Sequence, residues 1–406
     1  MSISPNLKTT VIHDLIRDLS VICKDIFINA RFKPLKRVIS EDAFFNEKSV
    51  LLTILYEFKR SRHSGQKLLF LFIFFLFPCN SAFPQSPVKI GFLIRDKNDI
   101  AVQQAAELAI EEANNRRDYQ GQKFELATKS CDGPWGIGSK QAVTLIYEDE
   151  VSIVVGALDG RNAHLAEQVT AKSHVVMLST LSSDPTLSRA YVPWYFRLVP
   201  DDRQQAEVLV EQIYLMDKAR KIAMISLDNY DGKMSADAFV DEVKEKGHLK
   251  PDVFIGLETK QLVEKLNKNS WDAVILAGTS EHIKEVITHI HSSKIFSFLN
   301  LFNFLPDDGF IDFSNIQFIK PERLDIASWS NFERTYQQVF GKRPPPSIAY
   351  VYDGILMACE AIYQFSNNPE GLRKGFKDLK YQGITGSIEF DKLGNREFQW
   401  KISEDQ

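Results

Sequence analysis

Three short loops in this chain carry residues whose types and spacing could bind or transform a small molecule. The first, residues 133–140, reads GPWGIGSK and lies between an apolar run and a helical pattern, where a phosphate loop would lie. A phosphate loop needs Lys and then Ser or Thr after its last Gly, so that the ammonium reaches the phosphates and the hydroxyl reaches magnesium. Here Ser139 precedes Lys140, and Gln141 stands where the dinucleotide fingerprint requires its third Gly, so nucleotide chemistry is not expected. Trp135 in this loop either caps a ligand in a cleft or covers packing between elements. The second loop, Asp159-Gly160-Arg161-Asn162, opens a helix whose free amides and positive dipole end favour an anion. Arg161 is there either to grip a carboxylate through two hydrogen bonds or to stand solvated at the helix start. The third loop, residues 180–185 (TLSSDP), places Ser182 and Ser183 after an apolar run.

Catalytic and metal patterns are missing. No Gly-x-Ser-x-Gly, His-Glu-x-x-His or carboxylate pair with a flanking nucleophile occurs, so no catalytic constellation is read here and neither an enzyme nor a cofactor is expected. His289 and His291 lie two apart and point to different sides. The four cysteines, Cys23, Cys79, Cys131 and Cys359, have no metal spacing. A disulfide between Cys131 and Cys359 is open to an oxidising compartment, but one follows a strand and the other sits in mid-helix, so two free thiols is the preferred reading. The net charge of −4 argues against nucleic acid as a partner.

The elements that must position these loops alternate. From Val88 onward, short β-branched runs (VKIGFLI, FELATKS, VSIVVGA, VVMLST) alternate with helical patterns at residues 102–115, 139–148 and 163–173. That alternation predicts a doubly wound parallel sheet, with the three loops at strand ends, where open α/β sheets bind ligands. After a linker read in YFRLVPDDRQQ, a second series follows: helix 203–217, strand KIAMISL, helix 235–246, strand DVFIGL, helix 261–267, strand WDAVILAG and helix 281–292. The expectation is α/β, with two doubly wound parallel-sheet lobes. By pattern alone, residues 325–383 continue the second lobe.

Several of these segments resemble one family. The stretch VSIVVGALDG, the TLSSDP loop, the YFRLVPDD linker, the helix PSIAYVYDGILMACEA and the segment GITGSIEFDKLGN follow, in order, the pattern of type I periplasmic binding proteins, in the Leu/Ile/Val-binding branch. The resemblance covers roughly residues 88 to 400. It implies a hinge crossed three times, with hinge candidates near Val199-Pro200, Lys320-Pro321 and Gly383. Residues 83–199 with 325–383 would then form the first lobe, and 200–324 with 384–406 the second.

By the same resemblance, Gly160 replaces a Ser whose hydroxyl binds the ligand carboxylate, so backbone amides remain there without a hydroxyl. Leu181 would offer a carbonyl, and Ser183, beside Ser182, a hydroxyl to the ligand head group. Tyr230 would close over the ligand. Thr279 stands where the family often has an aromatic. The stretch NLFN, residues 300–303, stands where a Glu pairs with the ligand ammonium, and it contains no acid. Phe302, Thr279 and Trp135 would therefore suit an apolar or purely anionic ligand. The function implied is capture of an amino acid, amide or small carboxylic acid for an ABC permease. An extracytoplasmic sensor with a membrane signalling partner is the alternative.

Residues 67–78 (KLLFLFIFFLFP) follow Lys59, Arg60 and Arg62 and precede a small-residue stretch, the layout of a secretory signal peptide and an apolar run too short to span a bilayer. Residues 1–82 thus read as an extension plus signal peptide, and the mature protein as periplasmic or extracytoplasmic. An uncleaved anchor would favour the sensor. Leu76, Phe77 and Pro78 before Cys79 are too bulky for a lipid-attachment motif. Because signal peptides begin close to the initiator, translation is expected to start nearer Val50 or Leu51, with a genuine leader as the alternative.

Overall fold

The computed structural model describes residues 86–403 except 117–120, 227–228, 279–282, 291–293, 305–313, 322–325, 366 and 398. The Leu/Phe-rich segment and everything before it lie outside the described residues, as does Thr279.

The first sheet is built from β1 (Val88–Ile94), α1 (Ile100–Asn115), β2 (Phe124–Ser130), α2 (Ile137–Tyr147), β3 (Ile153–Ala157), α3 (Gly160–Ser173), β4 (Met177–Ser179), the short α4 (Pro185–Arg189) and β5 (Tyr195–Arg197). Its order is β2-β1-β3-β4-β5, all parallel. Every residue of β3 is buried, as expected of a central strand covered by helices on both faces. Tyr195–Arg197, which the sequence reading placed in a linker, is a fifth strand; three residues are too few to give a periodic signal, and pairing with β4 makes them a strand.

The second sheet follows with α5 (Asp202–Val210, continued by a π-helical turn at Glu211–Met216), β6 (Ile222–Ser226), α6 (Tyr230–Glu245), β7 (Asp252–Ile255), α7 (Thr259–Asn267), β8 (Ala273–Ala277), α8 (Ile283–Thr288), β9 (Ile295–Ser297) and β10 (Ile316–Pro321). Then come α9 (Ile326–Phe340), α10 (Ile348–Phe365), α11 (Pro369–Asp378), the hairpin β11 (Tyr381–Gly383) with β12 (Gly386–Ile388), and β13 (Trp400–Ile402). The order is β13-β10-β9-β8-β6-β7. This sheet is not wholly parallel, because β13 returns to pair antiparallel with β10 at its edge.

Helix starts follow capping chemistry. Asp159 caps α3 by accepting from the Asn162 amide at 2.8 Å, and Asp201 and Gln204 form a capping box on α5. The second-lobe helix expected at 235–246 begins five residues earlier, at Tyr230. Asn229 caps it by accepting from the Gly232 amide at 2.7 Å, and Asp231 in the first turn suits the dipole. The apolar face starts only at Ala236 and Phe239, so periodicity hid the first turn.

Pattern alone assigns residues 325–383 to the second series, but α10 packs on α1 and on β3 and β4 of the first sheet. Thirteen of its eighteen residues are buried, from Ile348 to Ile362. Each fully buried Ile, Val or Met contributes about 1.5–3 kcal/mol, so this helix is a large part of the core. From its middle, Asp353 reaches the hairpin: its carboxylate accepts from the Ile384 amide at 2.9 Å, the Thr385 amide at 2.8 Å and the Thr385 hydroxyl at 2.5 Å.

Candidate functional site

Both sheets have a topological switch, between β1 and β3 in the first and between β6 and β8 in the second. Open α/β sheets leave a crevice at the carboxyl ends of such strands. The loop after β3 holds Gly160, the loop after β4 holds residues 181–184, the segment after β6 leads to Tyr230 and Asp231, and the loop after β8 begins at Gly278. In the structure these ends face one another and are joined.

Hydrogen bonds among the described residues cross the cleft. The Gly160 amide, at the start of α3, donates to Asp231 Oδ1 at 2.9 Å. The Tyr230 hydroxyl donates to Asp184 Oδ2 at 2.9 Å. Asn303 Nδ2, following the short 3-10 turn Leu299–Phe302, donates to the Leu181 carbonyl at 3.1 Å. Gly160 has no room for a side chain in this arrangement: a Cβ there would lie 2.9 Å from Asp231 Oδ1 and 3.0 Å from the Tyr230 ring.

The electrostatics are set by carboxylates. Burial would raise the Asp184 carboxyl, but hydrogen bonds from His164, Thr186 and Tyr230 outweigh it and hold the group well below the usual range. Its partner His164 is raised, first by the Asp184 hydrogen bond and against the effect of burial. Burial, helped by the charge of Asp159, lifts Asp231 to about 7 against the pull of the Gly160 amide. Asp202, buried at the start of α5, is raised well above the usual range by burial, against the hydroxyls of Ser183 and Ser235. Arg95 draws Asp231 down, but it is itself paired with Asp99 at 2.7 Å and stacked over Phe304 at 4.3 Å.

The sequence-derived candidates divide. Gly160, Leu181, Ser182, Ser183 and Tyr230 come together at the cleft. Ser183 gives its carbonyl to the Asp202 amide at 2.8 Å, and its hydroxyl draws the Asp202 carboxyl down against burial. Ser182 is buried and its Oγ has no hydrogen-bond partner. Arg161 is exposed in the first turn of α3, and Trp135 stands 77% exposed on the loop before α2. Phe302 is a core ring rather than a cleft ring: it is fully buried with its edge against Phe318 at 4.8 Å between centroids. The NLFN stretch carries no acid, as read, and Asp184, Asp202 and Asp231 bring carboxyl groups to the cleft from other elements. Asp231 lies in the first turn of α6, ahead of the apolar face that gives the helix its periodic signal, and Asn303 has no signal beyond its place in the NLFN stretch. His289 bonds through Nδ1 to the Glu285 carbonyl at 2.8 Å, and His291 lies outside the described residues. Cys131 and Cys359 are both buried and unbridged. A separate cavity of ≈ 450 Å³, lined by Glu112, Phe332, Tyr352 and Tyr381 among others, lies behind the hairpin and shares no residue with the cleft.

Two parallel-strand sheets facing each other across such a cleft are the layout of a known group of ligand-binding proteins. Residues 101–404 match the family described as the receptor family ligand binding region. The chain belongs to that family. As a member of the receptor ligand-binding family, it is similar over 146 residues, at 29% identity, to the Leu/Ile/Val-binding protein homolog 3 of Brucella melitensis, a match covering 36% of this chain and 39% of that one. It is 28% identical over 174 residues to glutamate receptor 3.7 of Arabidopsis thaliana, covering 42% of this chain and 19% of the receptor. These matches span well under two thirds of either relative's length. Among solved structures, the branched-chain amino-acid transporter substrate-binding protein of Streptococcus pneumoniae, in complex with isoleucine, superposes with a TM-score of 0.65 at 18% identity, covering 78% of this chain and 95% of that one. A solute-binding protein of R. palustris in complex with benzoate gives 0.66 at 10% identity, covering 79% and 94%. At these identities the likeness establishes the fold, a two-lobed type I periplasmic binding architecture. Among the described residues of this family member, no helix is long and apolar enough to cross a membrane.

Proposed function

We propose that this chain is an exported solute-binding protein that captures one small molecule, an amino acid, amide or small carboxylic acid, between its lobes and delivers it to an ABC-type permease. The observation that carries the reading is the convergence of Gly160, Leu181, Tyr230, Asp231 and Asn303 at facing strand ends, with three hydrogen bonds closing one lobe on the other. Polar groups placed so that they meet only on closure suit trapping by hinge motion. The binding relatives favour binding over catalysis.

A second reading, an extracytoplasmic sensor, is favoured by the similarity to plant glutamate receptors. Thermal unfolding against amino acids, amides, aromatic acids and short dicarboxylates tests the shared premise. A ligand at 100 times its Kd adds about 2.7 kcal/mol, a shift of several degrees. Stabilisation by one chemical class supports solute capture, and a flat response across all of them sinks it. Co-purification with a permease rather than a signalling protein then separates transport from sensing.

A further inference from the structure

The position that would receive a ligand's carboxylate is already filled by the protein. The Gly160 amide at the start of α3 is the anion-favouring group of the first lobe, and Asp231 of the second lobe places a carboxylate oxygen 2.9 Å from it. The two residues are complementary in shape as well as charge. A side chain at position 160 would crowd Asp231 and Tyr230, so that the carboxylate would have to shift from the amide to make room.

The remaining groups at the cleft are mostly acceptors. Asn303, 3% exposed, gives its amide hydrogens toward Leu181 and leaves Oδ1 with no partner. Ser182, 1% exposed, sits next to that contact with an unpartnered Oγ. One comes from each lobe, beside the same interlobe bond. A buried acceptor without a donor is costly, and since the Ser182 hydroxyl can accept as well as donate, Asn303 Oδ1 makes this part of the cleft favour a group that brings N–H. The carboxylates of Asp184 and Asp231 lie on the same side, and Arg95 is engaged by Asp99. A second anion would enter against these charges.

We infer that Asp231 acts as a built-in substitute for the ligand carboxylate, and that the captured solute is a carboxylate-free nitrogen donor, an amide or a primary amine. The inference rests on the solute-binding reading and narrows it. When the lobes part, the Leu181 carbonyl, Asn303 Oδ1 and Ser182 Oγ become available to the ligand's N–H groups, and Asp231 and Gly160 re-form their bond on closure. A ligand carboxylate could take the Gly160 amide only by expelling Asp231.

The test compares matched probes on the full chain by titration calorimetry and thermal shift: leucine, leucinamide, 3-methylbutylamine and 4-methylpentanoate, with phenylalanine and phenylalaninamide, and benzoate and benzamide, as further sets. The expected result is that amide or amine members bind at least about tenfold more tightly than their acid counterparts, because unpaired buried polar groups discriminate strongly. The double variant Gly160→Ser with Asp231→Gly clears the anion position and should gain at least about tenfold affinity for an acid member. Asp231→Asn keeps the shape and removes the charge, and should lower the preference for the amine more than for the amide. Acid members that bind the parent chain as tightly as the amides overturn the inference and leave solute binding intact. If the parent and both variants, folded by circular dichroism, bind no member of any set, the solute-binding reading falls and takes this inference with it.

Discussion

Arg197 Nη2 donates to Asn395 Oδ1 at 2.5 Å, joining the last strand of the first sheet to the segment that follows the closing hairpin, 198 residues further along the chain. The guanidinium is fully buried and also donates to the Asp184 carbonyl at 2.6 Å and the Ser188 hydroxyl at 2.8 Å, with Asp201 of the α5 cap at 3.4 Å. One side chain thus ties together the strand, the cleft loop, the helix cap and the return of the chain. Replacing Arg197 with Met should cost about 3–5 kcal/mol, because it strands several acceptors in a buried site. Urea unfolding measures it, and a loss under about 1 kcal/mol would contradict this account.

The Asp231 carboxyl sets a pH dependence with a definite sign. Raised from 3.8 to about 7, mainly by burial, with Asp159 and Asp184 adding to the rise and Gly160 and Arg95 opposing it, it holds a proton between those two values that the unfolded chain has released, and above 7 it faces Gly160 as a carboxylate. Its contribution is therefore fully present below the unfolded value and is lost as pH rises through 7. Glu167, also raised to about 7 by burial, acts in the same direction. Stability should fall between pH 5.5 and pH 8.5, and Asp231→Asn should flatten that slope. Denaturant midpoints at three pH values give the comparison, and an unchanged slope in the variant would assign the proton elsewhere.

Gly394 adopts φ +78°, and a Cβ there would strike the Tyr195 carbonyl. Gly247 has a similar φ of +71° but open space around it. Ala at position 247 should cost about 1 kcal/mol for the left-handed backbone alone, and Ala at 394 at least about 2 kcal/mol more. Equal losses for the two variants would mean that the segment after the hairpin yields and does not need this close approach.

Burial pushes the Cys131 thiol up to about 12 and raises Cys359 as well. Neither should react with an alkylating agent in the native state near neutral pH, since the thiolate is the reactive form. Peptide mass spectrometry after labelling should find both modified only in denaturant. Rapid native labelling of either would show that it lies in a segment that opens.

The strand-helix alternation from Val88 onward was enough to establish an α/β chain with parallel sheets, because buried strands and amphipathic helices have different apolar periods. The loops at Gly160 and Leu181–Ser183 were legible too, since their place at strand ends follows from that alternation. Shorter features were not. Three-residue strands such as Tyr195–Arg197 carry too little pattern, and the first turn of α6, polar throughout, hid Asp231. What the cleft contains was decided by tertiary structure alone. Gly160 and Asp231 are 71 residues apart, and Leu181 and Asn303 are 122 apart. Nothing local in either sequence neighbourhood encodes those pairings, which arise only when two separately built sheets close on each other. By itself the sequence determined which loops would stand at the rim. The closure of one lobe on the other decided that a carboxylate of this chain, rather than a ligand's, meets the Gly160 amide there.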